Sequence, residues 1–182
     1  MEPIVTKEID GLTIKIHADE YPESPRSSYE PLGTILYKKG SRYTLGDDEA
    51  TEEEMDEIAA SPDNVVLPVY AYIHSGIAMN TTGFSCPWDS GRCGIIYISK
   101  EKIRSEYGVK AITKKIREKV ISALQAEIEE FSAYLNGDVY GYTVEDKNGE
   151  ELESCWGYYG IESALEEAIA TAKVHANETV GV

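Results

Sequence analysis

Leu12, Ile14 and Ile16 alternate with Thr13, Lys15 and His17, the two-residue period of a half-buried strand. A different period governs the stretch 112–135. There Ile112, Ile116, Val120, Leu124, Ile128, Phe131 and Leu135 recur at steps of four with a single step of three, a helical stripe of about 24 residues that Asn136-Gly137 closes. Between these landmarks, Thr34 to Tyr37 reads as a strand, and so does Val65 to His74, where Pro68 points to an edge position or a bulge. Gly94 to Ile98 is a further strand, followed by a Ser99 cap and a short helix that stops near Gly108. Thr51 with Glu54 three residues later forms a capping box for a helix over about 51–60 that ends at Ser61-Pro62.

Two segments lack either period. The stretch 19–33 holds Pro22, Pro25 and Pro31 among serines, and its length of about 15 residues suggests that it covers or binds something. The other, 75–92, is rich in glycine and carries Cys86, with Cys93 just beyond.

Residues 139–158 read as a hairpin. A two-residue Asn148-Gly149 turn would set Val144 opposite Glu153 and Tyr142 opposite Cys155. A three-residue Lys147-Asn148-Gly149 loop aligns Val144 with Leu152, Tyr142 with Ser154 and Tyr140 with Trp156, which gathers large apolar groups on one face. The second register is therefore expected, with Gly149 left-handed and the Tyr140, Tyr142 and Trp156 face packed on a helix. A last helix near 161–175 places Leu165, Ala168, Ile169 and Ala172 opposite Glu162, Glu166 and Glu167. The expected fold is α+β: a single domain over 1–182, mainly antiparallel sheet packed against one long helix and a C-terminal helix, with irregular loops at 19–33 and 75–92.

Composition sharpens this picture. With 182 residues and 42% hydrophobic side chains, the chain can bury a core of one ordinary domain. No run reaches the roughly 18 apolar residues that span a bilayer, and Met1-Glu2-Pro3 opens without a basic, apolar leader. Three cysteines do not build a disulfide framework, so a cytoplasmic protein is expected, in which the Asn80 and Asn177 glycosylation triplets carry no meaning. Thirteen tyrosines against two phenylalanines favour half-exposed rings at a sheet boundary or recognition surface.

Charge is segregated. Residues 1–64 carry 16 acidic against 6 basic side chains, 65–120 carry 4 against 9, and 121–182 carry 13 against 2, within a total of -16. Such a field repels nucleic acid and attracts basic proteins. Lys110, Lys114, Lys115, Arg117 and Lys119 crowd the start of the long helix and Glu127, Glu129 and Glu130 its second half, both against the macrodipole. Two explanations suit a retained basic cluster: neutralisation of nearby acids, including those of a second copy, or binding of phosphate.

The central segment holds the residue types of nucleophilic catalysis. His74, Cys86 and Asp89 could serve as base, nucleophile and orienter if the loop brings them together. The structural alternative has Trp88 plugging the core, Asp89 capping amides, Pro87 and Gly91 holding a tight turn, and Cys86 buried as a small hydrophobe. Cys86 and Cys93 are spaced too widely for a zinc knuckle, and a tetrahedral site would need His74 and Cys155 or His17 brought in from afar. Asp47, Asp48 and Glu49 lack a calcium-loop pattern. No metal or cofactor is implied, and His17 and His175 read as ordinary boundary or surface residues.

Several strings carry a resemblance. Tyr72-Ile73-His74-Ser75-Gly76, Phe84-Ser85-Cys86-Pro87-Trp88-Asp89-Ser90-Gly91, the stretch Ser99 to Gly108, Leu135 to Tyr142, and Ser154-Cys155-Trp156-Gly157 resemble a group of small acidic bacteriophage and mobile-element proteins of no established activity. The likeness runs over roughly 12–173. Members often have Pro-Arg-Glu-Trp-Asp-Asn-Leu-Gly where this chain keeps only Pro25, Arg26, Leu32 and Gly33, so a role of the Trp-Asp-Asn portion does not carry over.

A phage-like origin together with the acidic charge leads to an expected inhibitor of a host nucleic-acid-acting defence enzyme, working in the host cytoplasm by DNA mimicry. Its partner would be a basic protein such as a nuclease, with no direct contact to nucleic acid or membrane. The expected contact residues are Asp47, Asp48, Glu49, Glu52, Glu53, Glu54, Glu127, Glu129, Glu130, Glu162, Glu166 and Glu167, with Trp88 as an aromatic anchor. The alternatives are a hydrolase or thiol enzyme using His74, Cys86 and Asp89, and a homo-oligomeric structural or replication-associated protein.

Overall fold

The structure, a computed structural model, describes residues 2–86 and 88–180. Pro87, expected to help hold a turn, lies outside the described residues. The α+β class is borne out, with antiparallel pairing predominant, a long helix and a C-terminal helix. The strands are shared between two sheets, and the chain forms two compact units, 1–23 with 137–182, and 24–136. In sequence, the second unit is an insertion between neighbouring strands of the first.

The unit of 1–23 and 137–182 is a four-stranded antiparallel sheet in the order β1 (Val5–Ile9), β2 (Leu12–Ala18), β8 (Val139–Glu145), β9 (Glu151–Tyr159). Leu12, Ile14 and Ile16 turn inward as their alternation requires and meet Tyr142 and Val144 under α5 (Ile161–Val180). The helix presents Ala164, Ala168 and Ala172, all fully buried, at its closest approach. Tyr142 fixes the pairing further, its hydroxyl lying 2.9 Å from Thr171 Oγ1.

The hairpin register departs from expectation. Its tip is the three-residue loop: Asp146 N–H donates to Glu150 O, and Gly149 has a φ of 82°. Away from the tip, irregularities between Val144 and Glu145 and between Tyr140 and Tyr142 give β9 an extra residue each time, so Val144 pairs with Glu153, Tyr142 with Cys155 and Tyr140 with Tyr158. Trp156 therefore leaves the helix-facing side. It covers Gly141, where an added Cβ would stand 2.2 Å from the indole, and lies 6.0 Å from the His17 ring.

The unit 24–136 is a five-stranded sheet in the order β4 (Asp48–Ala50), β3 (Thr34–Lys38), β7 (Ser90–Ser99), β5 (Asn64–Ile73), β6 (Ile77–Asn80), antiparallel except for β3 with β4. Ile35, Ile96 and Ile98 pack with Val120, Leu124, Ile128 and Phe131 of α4 (Lys114–Asn136), so the predicted stripe is the buried face. Leu36 and Ile95 point the other way, towards Met55 of α2 (Glu52–Ala60). Both sides of the central strands are covered, which explains their continuous apolar runs. Strand β6 was not expected within the 75–92 loop. Pro68 sits where β5 has β7 on one side but is not reached by β6, whose pairing begins at Tyr70, and the irregularity falls at Val69 and Tyr70.

Candidate functional site

Segment 19–33 contains one helical turn, α1 (Pro25–Ser28), opened by Ser24, whose hydroxyl accepts from Arg26 N–H. This turn directs Arg26 inward. Its guanidinium donates to Asp47 at 2.6 and 2.9 Å, to Glu127 at 2.8 Å and to the Gly33 carbonyl at 2.7 Å. Burial opposes the charge of Arg26, but the bonds to Asp47 and Glu127 outweigh it and raise its pKa. Asp47 also accepts from Ile35 N–H, and Glu127 from Leu32 and Gly33 N–H. Two of the expected contact carboxylates thus tie the loop to β3 and α4. Arg26, Leu32 and Gly33 all take part in this joint.

The densest acidic surface lies just beyond. Asp48, Glu49, Glu52, Glu53, Glu54, Asp56 and Glu57 are all exposed within ten residues of β4 and α2. The helix begins there because Thr51 Oγ1 accepts from Glu54 N–H while Glu54 Oε2 accepts from Thr51 N–H. The backbone bond from Thr51 holds Glu54 below the ordinary carboxylate pKa, and the bond from Lys38 does the same for Glu52. Lys38 reaches Glu52 at 2.6 Å and Arg92 reaches Asp56 at 3.5 Å. The other five acids of this ridge have no ion pair with a basic side chain among the described residues. Glu129 is exposed on α4, and Glu130 accepts from the Tyr29 hydroxyl. Glu162, Glu166 and Glu167 are exposed on α5 of the other unit.

The basic start of α4 is also exposed. Thr113 Oγ1 accepts from Ile116 N–H, and Lys114 lies 3.9 Å from Glu118 within the same helix. Lys110, Lys115, Arg117 and Lys119 form no ion pair among the described residues.

The central loop corrects two structural expectations. Cys86 is half-buried rather than buried. Trp88 does not plug a core: it is 91% exposed. It stands at the edge of an open groove of about 470 Å³ whose floor includes Leu45 and Ala71 and whose sides include Lys38, Lys39 and Arg92. Lys38 and Lys39 line a second groove of about 610 Å³ with Glu52, Glu53 and Asp56, so the indole's groove and the acidic ridge adjoin. Burial pushes the Cys93 thiol, on the first groove's wall, up to about 11.

Asp89 is fixed through its carbonyl, which accepts from Ile73 N–H, and its carboxylate lies 3.9 Å from His74 Nδ1 and 4.0 Å from Cys86 Sγ. The three candidates do come together, but the carboxylate is their centre. Among the described residues no hydrogen bond joins His74 to Cys86, the contact by which a base takes the proton of a thiol. No group of three His, Cys, Asp or Glu side chains among the described residues is placed to hold a metal ion.

Sequence reasoning missed Lys38, Lys39 and Arg92. Their meeting depends on Tyr37 pairing with Gly94 across strands more than fifty residues apart, which local pattern does not reveal. It also read His17 as ordinary. The structure leaves it only 8% exposed with Nδ1 unpartnered, as is Thr143 Oγ1, and burial, aided by the charge of Lys15, lowers its pKa.

No protein-family model matches the chain, and no curated protein or solved structure shows significant similarity to it. No helix among the described residues is long and apolar enough to cross a membrane.

Proposed function

We propose that the chain is a binding protein that engages a basic protein surface through the β4–α2 ridge and so blocks a nucleic-acid-acting enzyme. The observation that carries this reading is the run of seven exposed carboxylates over 48–57, five of them without a cationic partner among the described residues. A capped helix holds much of this array in place, so little ordering is needed when a cationic groove meets it. Carboxylates standing where phosphates would bind compete directly with nucleic acid. The resemblance to phage and mobile-element proteins supports a host defence enzyme, such as a nuclease, as the target, and the host cytoplasm as the place of action.

Asp47 and Glu127 leave the contact set, since both are engaged by Arg26. Capture from host lysate followed by mass spectrometry tests the reading. Basic nucleic-acid enzymes should be retained at low salt and released at high salt. Retention of nothing, or of partners indifferent to salt, would overturn it. Cys86→Ser separates this from thiol chemistry, because capture should be unchanged by it.

A further inference from the structure

We propose that the groove beside Trp88 binds a small aromatic anion of the mononucleotide class. Three features point to that chemistry. Leu45 and Ala71 give the groove an apolar floor, and at about 470 Å³ it has room for a base, a sugar and a phosphate. Lys38, Lys39 and Arg92 line it with one lining carboxylate, Asp89, while Glu52 and Asp56 pair with Lys38 and Arg92 from outside the lining. Trp88, with nine-tenths of its surface in solvent, offers a free indole face at the rim for a planar ring to stack on.

The cations are available. Lys39 has no ion pair among the described residues, while Lys38 and Arg92 hold Glu52 and Asp56 only through exposed surface pairs, which exchange readily for a phosphate. Asp89 opposes the anion but is outnumbered, and it lies towards His74 and Cys86. The overall charge of -16 selects for size. Screening over about 8 Å at physiological salt hides the distant acids from a compact ligand, whereas a longer strand would have to run past the carboxylates of α2. A mononucleotide is therefore favoured over nucleic acid. This site stands apart from the partner reading, since its ligand is not a protein and its test needs none.

The experiment is titration with adenosine monophosphate. In a Trp156→Phe background Trp88 is the sole indole, and saturable quenching of its fluorescence is expected. Calorimetry on the unaltered protein should give a matching affinity, which guards against a perturbed fold. Lys39→Gln with Arg92→Gln should weaken binding by about tenfold or more, and Trp88→Ala, read by calorimetry, by about fivefold or more. Adenosine and inorganic phosphate should each bind more weakly than the nucleotide. Absence of saturable binding at about 1 mM, or binding that both sets of substitutions leave unchanged, would overturn the proposal. Equal affinity for phosphate alone would refute the aromatic part of it.

Discussion

Arg26 shows how much can rest on one side chain. It joins Asp47, Glu127 and the Gly33 carbonyl, with its own side chain 8% exposed and those of the two acids 23% and 12%. Removing it leaves two carboxylates in a half-dry joint without their cation. Arg26→Ala should cost about 3 kcal/mol of stability in urea unfolding, and a loss below about 1 kcal/mol would show that the joint is well solvated. Gly141 makes a steric demand instead. Gly141→Ala drives a methyl into Trp156, so a loss of about 1–3 kcal/mol with an altered near-ultraviolet signal is expected.

His17 makes a statement about pH. Its folded pKa lies below the ordinary 6.5, so between the two values the unfolded chain binds the extra proton. Its contribution is therefore complete above about 6.5 and lost as pH falls through the folded value. Melting temperature should drop as pH is lowered below 6.5, and His17→Gln should flatten that part of the profile. An unchanged profile would mean that His17 titrates alike in both states.

Among the elements, the long helix was legible because its stripe is sustained and its end marked, and the helix after Thr51 because its cap is local chemistry. Thr51→Ala should remove about 1 kcal/mol, measured by thermal or urea unfolding, and loosen the first turn of the acidic ridge. The hairpin was half legible. Residues at the tip dictate the loop, whereas the irregularities of β9 answer to tertiary needs: Trp156 over Gly141 and Tyr142 against Thr171. The strand Ile77–Asn80 escaped notice since four residues between turns are too few to establish a period. What places them is pairing with Tyr70 to Ile73, together with the bond from Met79 N–H to Ser132 of α4.

Across the whole molecule, composition conveyed an acidic protein but not where the acids stand. Twelve carboxylates were expected to share a contact. Asp47 and Glu127 are occupied within the fold, Glu130 is held by Tyr29, and Glu162, Glu166 and Glu167 belong to the other unit. What persists as a local array is the segment 48–57. Likewise, the basic middle of the sequence is no single patch: Arg92 joins Lys38 and Lys39 at a groove, while Lys114, Lys115 and Arg117 face solvent on α4. Charge in blocks along a chain becomes charge in patches only after strands far apart in sequence have paired.

The most direct measurement compares what the unaltered protein and an Asp48→Ser, Glu49→Ser, Glu53→Ser variant capture from host lysate at matched low salt. These side chains are exposed and lie outside the cap bonds, so the variant should fold with unchanged circular dichroism. Retention of basic nucleic-acid enzymes by the unaltered chain, and their loss from the variant, is the predicted result. The same enzymes retained equally by both would contradict it.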